Sequence, residues 1–194
     1  MNAGNSGPKS ESIFKAASLF SIILATVIQL RLMGRFWWCS CGKIHLWAGD
    51  VLSSHNSQHL LDPYSFTHIL HGFCYCALLF WLFPRMVQSW RFCLAVFSES
   101  CWEVLENSAY VINRYRAATS SLGYSGDAIL NSMGDILCCS VGFWFAWYLG
   151  FRKGVVVFIL TEAILLLWIR DSLLLNIIML ISPIESIKAW QMGL

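Results

Sequence analysis

The sequence predicts an all-α membrane protein, a bundle of about five transmembrane helices, or four plus a broken C-terminal segment. Three observations carry this prediction. Of 194 residues 57% are hydrophobic, and the mean hydropathy is +0.60. Only 12% are charged, against about 25% in an average soluble domain, so a water-soluble fold of this length could not hide the apolar surface. Ten Trp and six Tyr suit a protein with two membrane–water interfaces, where amphipathic rings settle. The net charge of +2 gives no argument for a nucleic-acid partner. Membrane lipid is the partner that the composition implies.

Residues 1–13 read as a short, polar, disordered tail, and 14–194 as one transmembrane helical domain. The first apolar run, Phe14 to Met33, is too long for the core of a signal peptide and lacks a small-residue cleavage site, so it reads as a retained span. A His-rich loop at 34–67 follows and reads as extracytoplasmic. The second run, His68 to Phe83, stops at Pro84, which cannot continue a helix. The third, Trp90 to Ile112, is less apolar. The fourth runs from Asp127 to Leu149. The fifth, Gly154 to Ser182, has 29 residues. It would reach about 43 Å at about 1.5 Å per residue, more than the ~30 Å hydrocarbon core. It must tilt or break, and Arg170–Asp171 is the natural break. Alternatively it is one span followed by a short interfacial helix ending near Trp190. Basic residues divide evenly between the two sides, so the positive-inside rule does not decide orientation. The short loops carrying Arg85/Arg91 and Arg152/Lys153 argue for a cytoplasmic N-terminus.

Six of the eight Cys (Cys74, Cys76, Cys93, Cys101, Cys138, Cys139) fall inside predicted spans and read as small apolar filler. Cys39 and Cys41 form Cys-Ser-Cys in the first loop. That spacing differs from the Cys-x-x-Cys of zinc knuckles, and no second thiol pair exists in the loop, which argues against zinc held by thiolates.

The third span carries a load that lipid does not tolerate. Glu99, Glu103 and Glu106, with Asn107, share one helix face by their offsets of four and three. The eight Leu, Ile, Val and Phe residues of this run offer about −0.3 to −0.6 kcal/mol each, whereas three carboxylates at ~+2.5 kcal/mol or more apiece cost more than that sum. The glutamates therefore need partners, protons, water or a metal. The flanking spans offer them. His68 and His71, three residues apart, open the second span. Asp127, Asn131, Ser132 and Asp135 open the fourth. In an alternating topology the starts of spans two and four and the end of span three occupy one leaflet, so three polar faces meet at matching depth.

This constellation supports several readings. Two imidazoles with carboxylates from neighbouring helices suit a divalent metal ion such as zinc, iron or manganese, with an open position that activates water for hydrolysis. His68, His71, Glu103, Glu106 and Asp127 are the candidate metal ligands. His71, Glu103 and Asp135 are the candidate catalytic groups. Arg114 and Arg116, with His59, Asn107 and Asn131, are the candidate substrate-binding residues, the arginines holding a phosphate headgroup. Metal-free acid–base chemistry on a lipid phosphate is a second reading. A small transporter or proton pathway is a third. The fourth is non-enzymatic: a scaffold or assembly protein whose polar residues hold its helices together. Glu162 and Asn176 read as helix–helix contacts, Arg170–Asp171 as an interfacial anchor, and His45 as solvated.

The runs Trp47-Ala-Gly-Asp50, Asn56-Ser-Gln-His59, Asp62-Pro-Tyr64, His68-Ile-Leu-His71-Gly72, Trp102-Glu-Val-Leu-Glu-Asn-Ser108, Arg114-Tyr-Arg116, and Gly126-Asp127 with Asn131-Ser132 resemble one family. So do Ile169-Arg-Asp171, Leu175-Asn-Ile177 and Ala189-Trp-Gln191 near the C-terminus. The family comprises multi-pass inner-membrane proteins of alphaproteobacteria, known as a domain of unknown function. The resemblance covers nearly the whole chain. It implies a bacterial inner-membrane location and no particular activity. A looser likeness to VanZ-type membrane proteins rests on the acidic and Asn residues that open a span.

Overall fold

The computed structural model describes residues 8–121 and 123–194. Its helices are α1 (Pro8–Leu32), α2 (Ser65–Leu82), α3 (Gln88–Glu106), α4 (Ala109–Ala118), α5 (Ile129–Leu149), α6 (Phe151–Ile169), α7 (Leu173–Ile181) and α8 (Glu185–Met192). No strand occurs among the described residues. The protein is an all-α membrane bundle. Helix α1 already begins at Pro8, so 8–13 are helical rather than part of a disordered tail. Residues 1–7 of that tail lie outside the described residues.

Three helices are long and apolar enough to cross a membrane: α1 from Glu11, α2 and α5. A fourth span exists if α6 and α7, bent by 72° at their junction, form one broken crossing. The break falls at Arg170–Asp171, where Arg170 adopts a left-handed conformation (φ 55°). The break is therefore the alternative realised, and the short α8 containing Trp190 follows it. The expected third span behaves differently. With Arg91, Glu99, Glu103 and Glu106 among its 19 residues, α3 is not an apolar crossing. It is instead enclosed by α1, α2 and α5. It also stops at Glu106 rather than running to Ile112. Ser108 N-caps the separate helix α4 by accepting the Val111 N–H at 3.3 Å, satisfying a donor that a helix start leaves free.

Helices α2 and α5 form the closest pair. Gly72 lies against the backbone of Cys139 and Phe143, and Gly142 against Ile69. Below this contact Phe73, Cys76, Leu79, Ala95, Phe143 and Ala146 make the apolar core. The six helix cysteines are unpaired, and Cys76, Cys93 and Cys139 are buried as filler.

Each end of the bundle has its own chemistry. At the end where α2 meets α3, the Arg91 guanidinium donates to the Phe83 carbonyl oxygen (3.0 and 2.8 Å) and to that of Pro84 (2.7 Å), over the Phe80 ring at 4.0 Å. It satisfies carbonyls left open by the end of α2. Replacing Arg91 by Ala is expected to cost about 1.5–3 kcal/mol, the scale of a lost charged hydrogen bond. Arg91→Lys should recover only part of this in a detergent melting experiment, because an ammonium lacks the fork that spans two carbonyls. The opposite end gathers the starts of α2 and α5, the end of α3 and the long first loop. Ala128 N–H donates to Ser57 O at 2.9 Å, and Ile129 N–H to Phe36 O at 2.8 Å. The candidate site lies at this end.

Candidate metal-ligating pocket

Helix α2 starts at Ser65 because Pro63 precedes it and Asp62 organises the turn. Asp62 accepts the N–H groups of Ser57 (2.9 Å) and Tyr64 (2.7 Å), and its own N–H donates to Ser65 Oγ at 3.1 Å. Burial pushes the Asp62 carboxyl up from its ordinary value, and these backbone donors only partly offset that rise. The turn sets the rotation of α2, which aims His68 and His71 at α3.

Two imidazoles and three carboxylates converge there. His68 Nδ1 lies 2.5 Å from Glu99 Oε1 and 3.4 Å from Glu103 Oε1. Its Nε2 lies 3.8 Å from Asp135 Oδ2. His71 Nδ1 is 3.1 and 3.0 Å from the two Glu99 oxygens. Ser65 Oγ donates to Asp135 Oδ1 at 2.9 Å. Glu99 and Glu103 have no exposed surface. Among the described residues, neither oxygen of Glu103 accepts a hydrogen bond. A buried carboxylate without donors costs more than a lost hydrogen bond, so this is the least satisfied group in the cluster. Two ligand sets result, His68/His71/Glu99 and His68/Glu103/Asp135, with the donor atoms in each within 4.8 Å of one another.

A cavity of about 290 Å³ adjoins the cluster, with His68, His71 and Asp135 among its lining residues. Glu106, Asp127 and Asn131 line it on the polar side, while Ile177 and Leu180 of α7 form an apolar wall. One Glu106 oxygen is buried without a partner among the described residues. The α7 wall is firmly held. Glu162 accepts the Leu173 and Leu174 N–H groups at 2.9 and 3.1 Å, and Tyr64 OH donates to Asp171 at 3.2 Å. Glu162 is thus a helix–helix contact, as its sequence context suggests.

Several expected site residues have other partners. Asp127 belongs to neither ligand set. Its carboxylate accepts Asn107 Nδ2–H (2.8 Å) and Tyr124 OH (2.9 Å), and its N–H donates to Asn107 Oδ1 at 2.7 Å. Asn107 is consumed by this pairing, which locks the α3–α4 break to the start of α5. Glu106 lines the cavity but is likewise outside both sets. Arg114 does not face the cavity. It donates to the Leu180 and Ile181 carbonyl oxygens at 2.7 and 3.0 Å, capping the end of α7. Arg116 donates to Tyr124 O. Arg114 thus satisfies carbonyls that the end of α7 leaves open, and Arg116 braces the loop between α4 and α5. Accordingly Arg114→Met should lower the melting temperature and increase proteolysis near α7. His59 sits in the first loop beside His55, away from the pocket.

Glu99, which is not among the ligands and catalytic groups that the sequence suggests, bonds both imidazoles. The available signal was its offset of four from Glu103, combined with the opposite direction of α2.

Residues 30–193 match a family described as "Protein of unknown function (DUF2585)". A UPF0314 protein of Rhizobium meliloti (strain 1021) is 46% identical over 172 residues, covering 89% of this chain and 87% of the relative. A UPF0314 protein of Paracoccus denitrificans (strain Pd 1222) is 42% identical, covering 90% and 91%. One from Sphingopyxis alaskensis is 43% identical, covering 92% and 93%. No solved structure matches the chain. The motifs that pointed to an alphaproteobacterial membrane family are therefore matched along nearly the full length, and the chain belongs to the DUF2585 family.

Proposed function

We propose that the pocket among α2, α3, α5 and α7 is a divalent-metal site that hydrolyses a membrane-associated or periplasmic substrate. In this reading the protein sits in the bacterial inner membrane with its N-terminus in the cytoplasm and the pocket in the outer leaflet. One observation carries the reading: Glu103 is fully buried with both oxygens lacking a donor, 3.4 Å from His68, which with Asp135 lines the adjoining cavity. A purely structural carboxylate at that depth would be paired. The donor set fits the group, since imidazole and carboxylate ligands from three helices suit zinc, iron or manganese.

His68, Glu103 and Asp135 would hold the ion, and His71 with Glu99 would orient His68 from behind. The ion would supply Lewis acidity and a water of lowered pKa. Glu106, with one free oxygen on the cavity wall, is positioned to move a proton. Asn131 offers an amide to a polar headgroup, while Ile177 and Leu180 accept an apolar tail, so the lining suits an amphipathic substrate.

Metal content of the purified protein tests this. Wild type is expected to hold a divalent ion at the pocket that is lost in Glu103→Gln and His68→Gln and kept in a Cys39→Ser/Cys41→Ser variant. Hydrolysis of phosphatidylethanolamine/phosphatidylglycerol vesicles, read as released headgroup, should follow the metal. Pocket metal that is unchanged in Glu103→Gln, or absent from wild type, overturns the proposal. The scaffold reading then stands, and it has its own support: Glu99 closes on both imidazoles and ties α2 to α3 without any ion.

A further inference from the structure

The 32 residues between α1 and α2 contain no helix, and their one paired stretch links Leu46 and Ala48 to Leu61. So long a connection without secondary structure needs another source of order. Four side chains gather within it. Cys39 Sγ lies 3.5 Å from His55 Nδ1, and His55 Nδ1 lies 3.2 Å from His59 Nε2. With Cys41, one ligand atom from each residue falls within 4.8 Å of all the others. Tetrahedral zinc holds nitrogen at about 2.0–2.1 Å and sulfur at about 2.3 Å, which places two nitrogens about 3.3 Å apart and a nitrogen–sulfur pair about 3.5 Å apart. The observed separations match those edges.

We infer that Cys39, Cys41, His55 and His59 form a structural zinc site that fastens the first loop over the mouth of the bundle. The sequence argued against thiolate zinc because the loop has no second cysteine pair. The second pair is instead two imidazoles four residues apart, a spacing found in structural zinc sites. Two sulfurs and two nitrogens are the donor set that selects zinc over calcium or magnesium. This set shares no residue with the pocket ligands and is chemically unlike them.

The surroundings favour ligation. Cys41 N–H donates to Cys39 Sγ at 3.4 Å, the kind of bond that steadies a thiolate. One contact must yield: His45 N–H donates to His59 Nδ1 at 3.3 Å. Ligation through Nε2 moves the ring proton to Nδ1 and releases this long bond. The loop also touches the bundle, with Gln58 Nε2 donating to Gly126 O at 2.9 Å and Trp47 stacked on Trp168 of α6 at 6.1 Å. A zinc clip would therefore hold Asn56, Ser57 and Tyr64 at the cavity rim.

Cobalt(II) substitution of the purified full-length protein in detergent tests the site. Thiolate-to-cobalt charge-transfer absorption is expected in wild type. It should persist in Glu103→Gln and vanish in Cys39→Ser/Cys41→Ser and in His55→Asn/His59→Gln. The pocket ligands contain no sulfur, so failure of this site and failure of the pocket proposal read differently. Alkylation of unmodified wild type guards against misfolded variants: Cys41 should be protected by zinc and react after chelator treatment. Absent thiolate bands in wild type, equal alkylation with and without zinc, or a Cys39–Cys41 disulfide in protein purified without reductant would each overturn the inference.

Discussion

Glu99→Ala is expected to be the most damaging substitution in the bundle, while Glu103→Leu leaves the metal-free protein as stable as wild type or more so. Both glutamates are fully buried on one face of α3, one turn apart. Their partners differ. Glu99 is bonded by His68 at 2.5 Å and by His71 at 3.0 Å. Its removal strands two imidazoles inside the bundle, and breaking a buried pair in this way costs about 3–5 kcal/mol. Glu103 accepts no hydrogen bond among the described residues. Its removal relieves a desolvated carboxylate that no donor offsets, so an apolar replacement is expected to be neutral or stabilising. Tryptophan-fluorescence melting in detergent, after chelator treatment, compares the two. The same Glu103→Leu protein should lose pocket metal. A residue kept at a stability cost is the signature of a functional site. If Glu103→Leu melts as early as Glu99→Ala, both carboxylates are structural ties.

The second large effect is at the α2–α5 contact. A methyl group at Gly72 would overlap the Cys139 oxygen and the Phe143 nitrogen, and one at Gly142 would overlap the Ile69 oxygen. These neighbours are backbone atoms of rigid helices and cannot rotate away. Without a hydrophobic drive between helices in lipid, small residues that permit close approach supply much of the association. Gly72→Ala and Gly142→Ala are each expected to cost about 1–3 kcal/mol as overpacking. Both should also weaken pocket metal binding, because α2 carries His68 and His71 just before Gly72, α5 carries Asp135 before Gly142, and the two helices would be pushed apart. Gly154→Ala is the control. It meets only the Phe73 ring at 3.7–3.8 Å, an ordinary contact, and replacing a helical glycine gains about 0.5–1 kcal/mol. Equal melting of Gly142→Ala and Gly154→Ala would show that the α2–α5 approach is not tight.

Much of the architecture was readable along the chain. Apolar runs, Pro84, the 29-residue final run and the Arg170–Asp171 interruption are local features, and each marks a helix or a break in the structure. The polar load on α3 was readable too, because three glutamates on one face have no other explanation in a membrane setting. The end of α3 was less legible. Asn107 and Ser108 stop it because Asn107 pairs with Asp127 and Ser108 accepts the Val111 N–H, and Asp127 lies twenty residues away from Asn107.

By itself the sequence determined the fold class, the approximate helices and the three elements that share a polar layer. Composition and periodicity act within one segment, so one segment suffices to read them. Only the tertiary structure decided which atoms meet. It paired both imidazoles with Glu99, left Glu103 without a donor, turned Arg114 onto the carbonyls of α7, and drew His59 to Cys39 rather than to the pocket. Each outcome depends on helix rotation, on the register between helices, or on the path of a loop without periodicity. None of these is encoded in the spacing of residues along a single element.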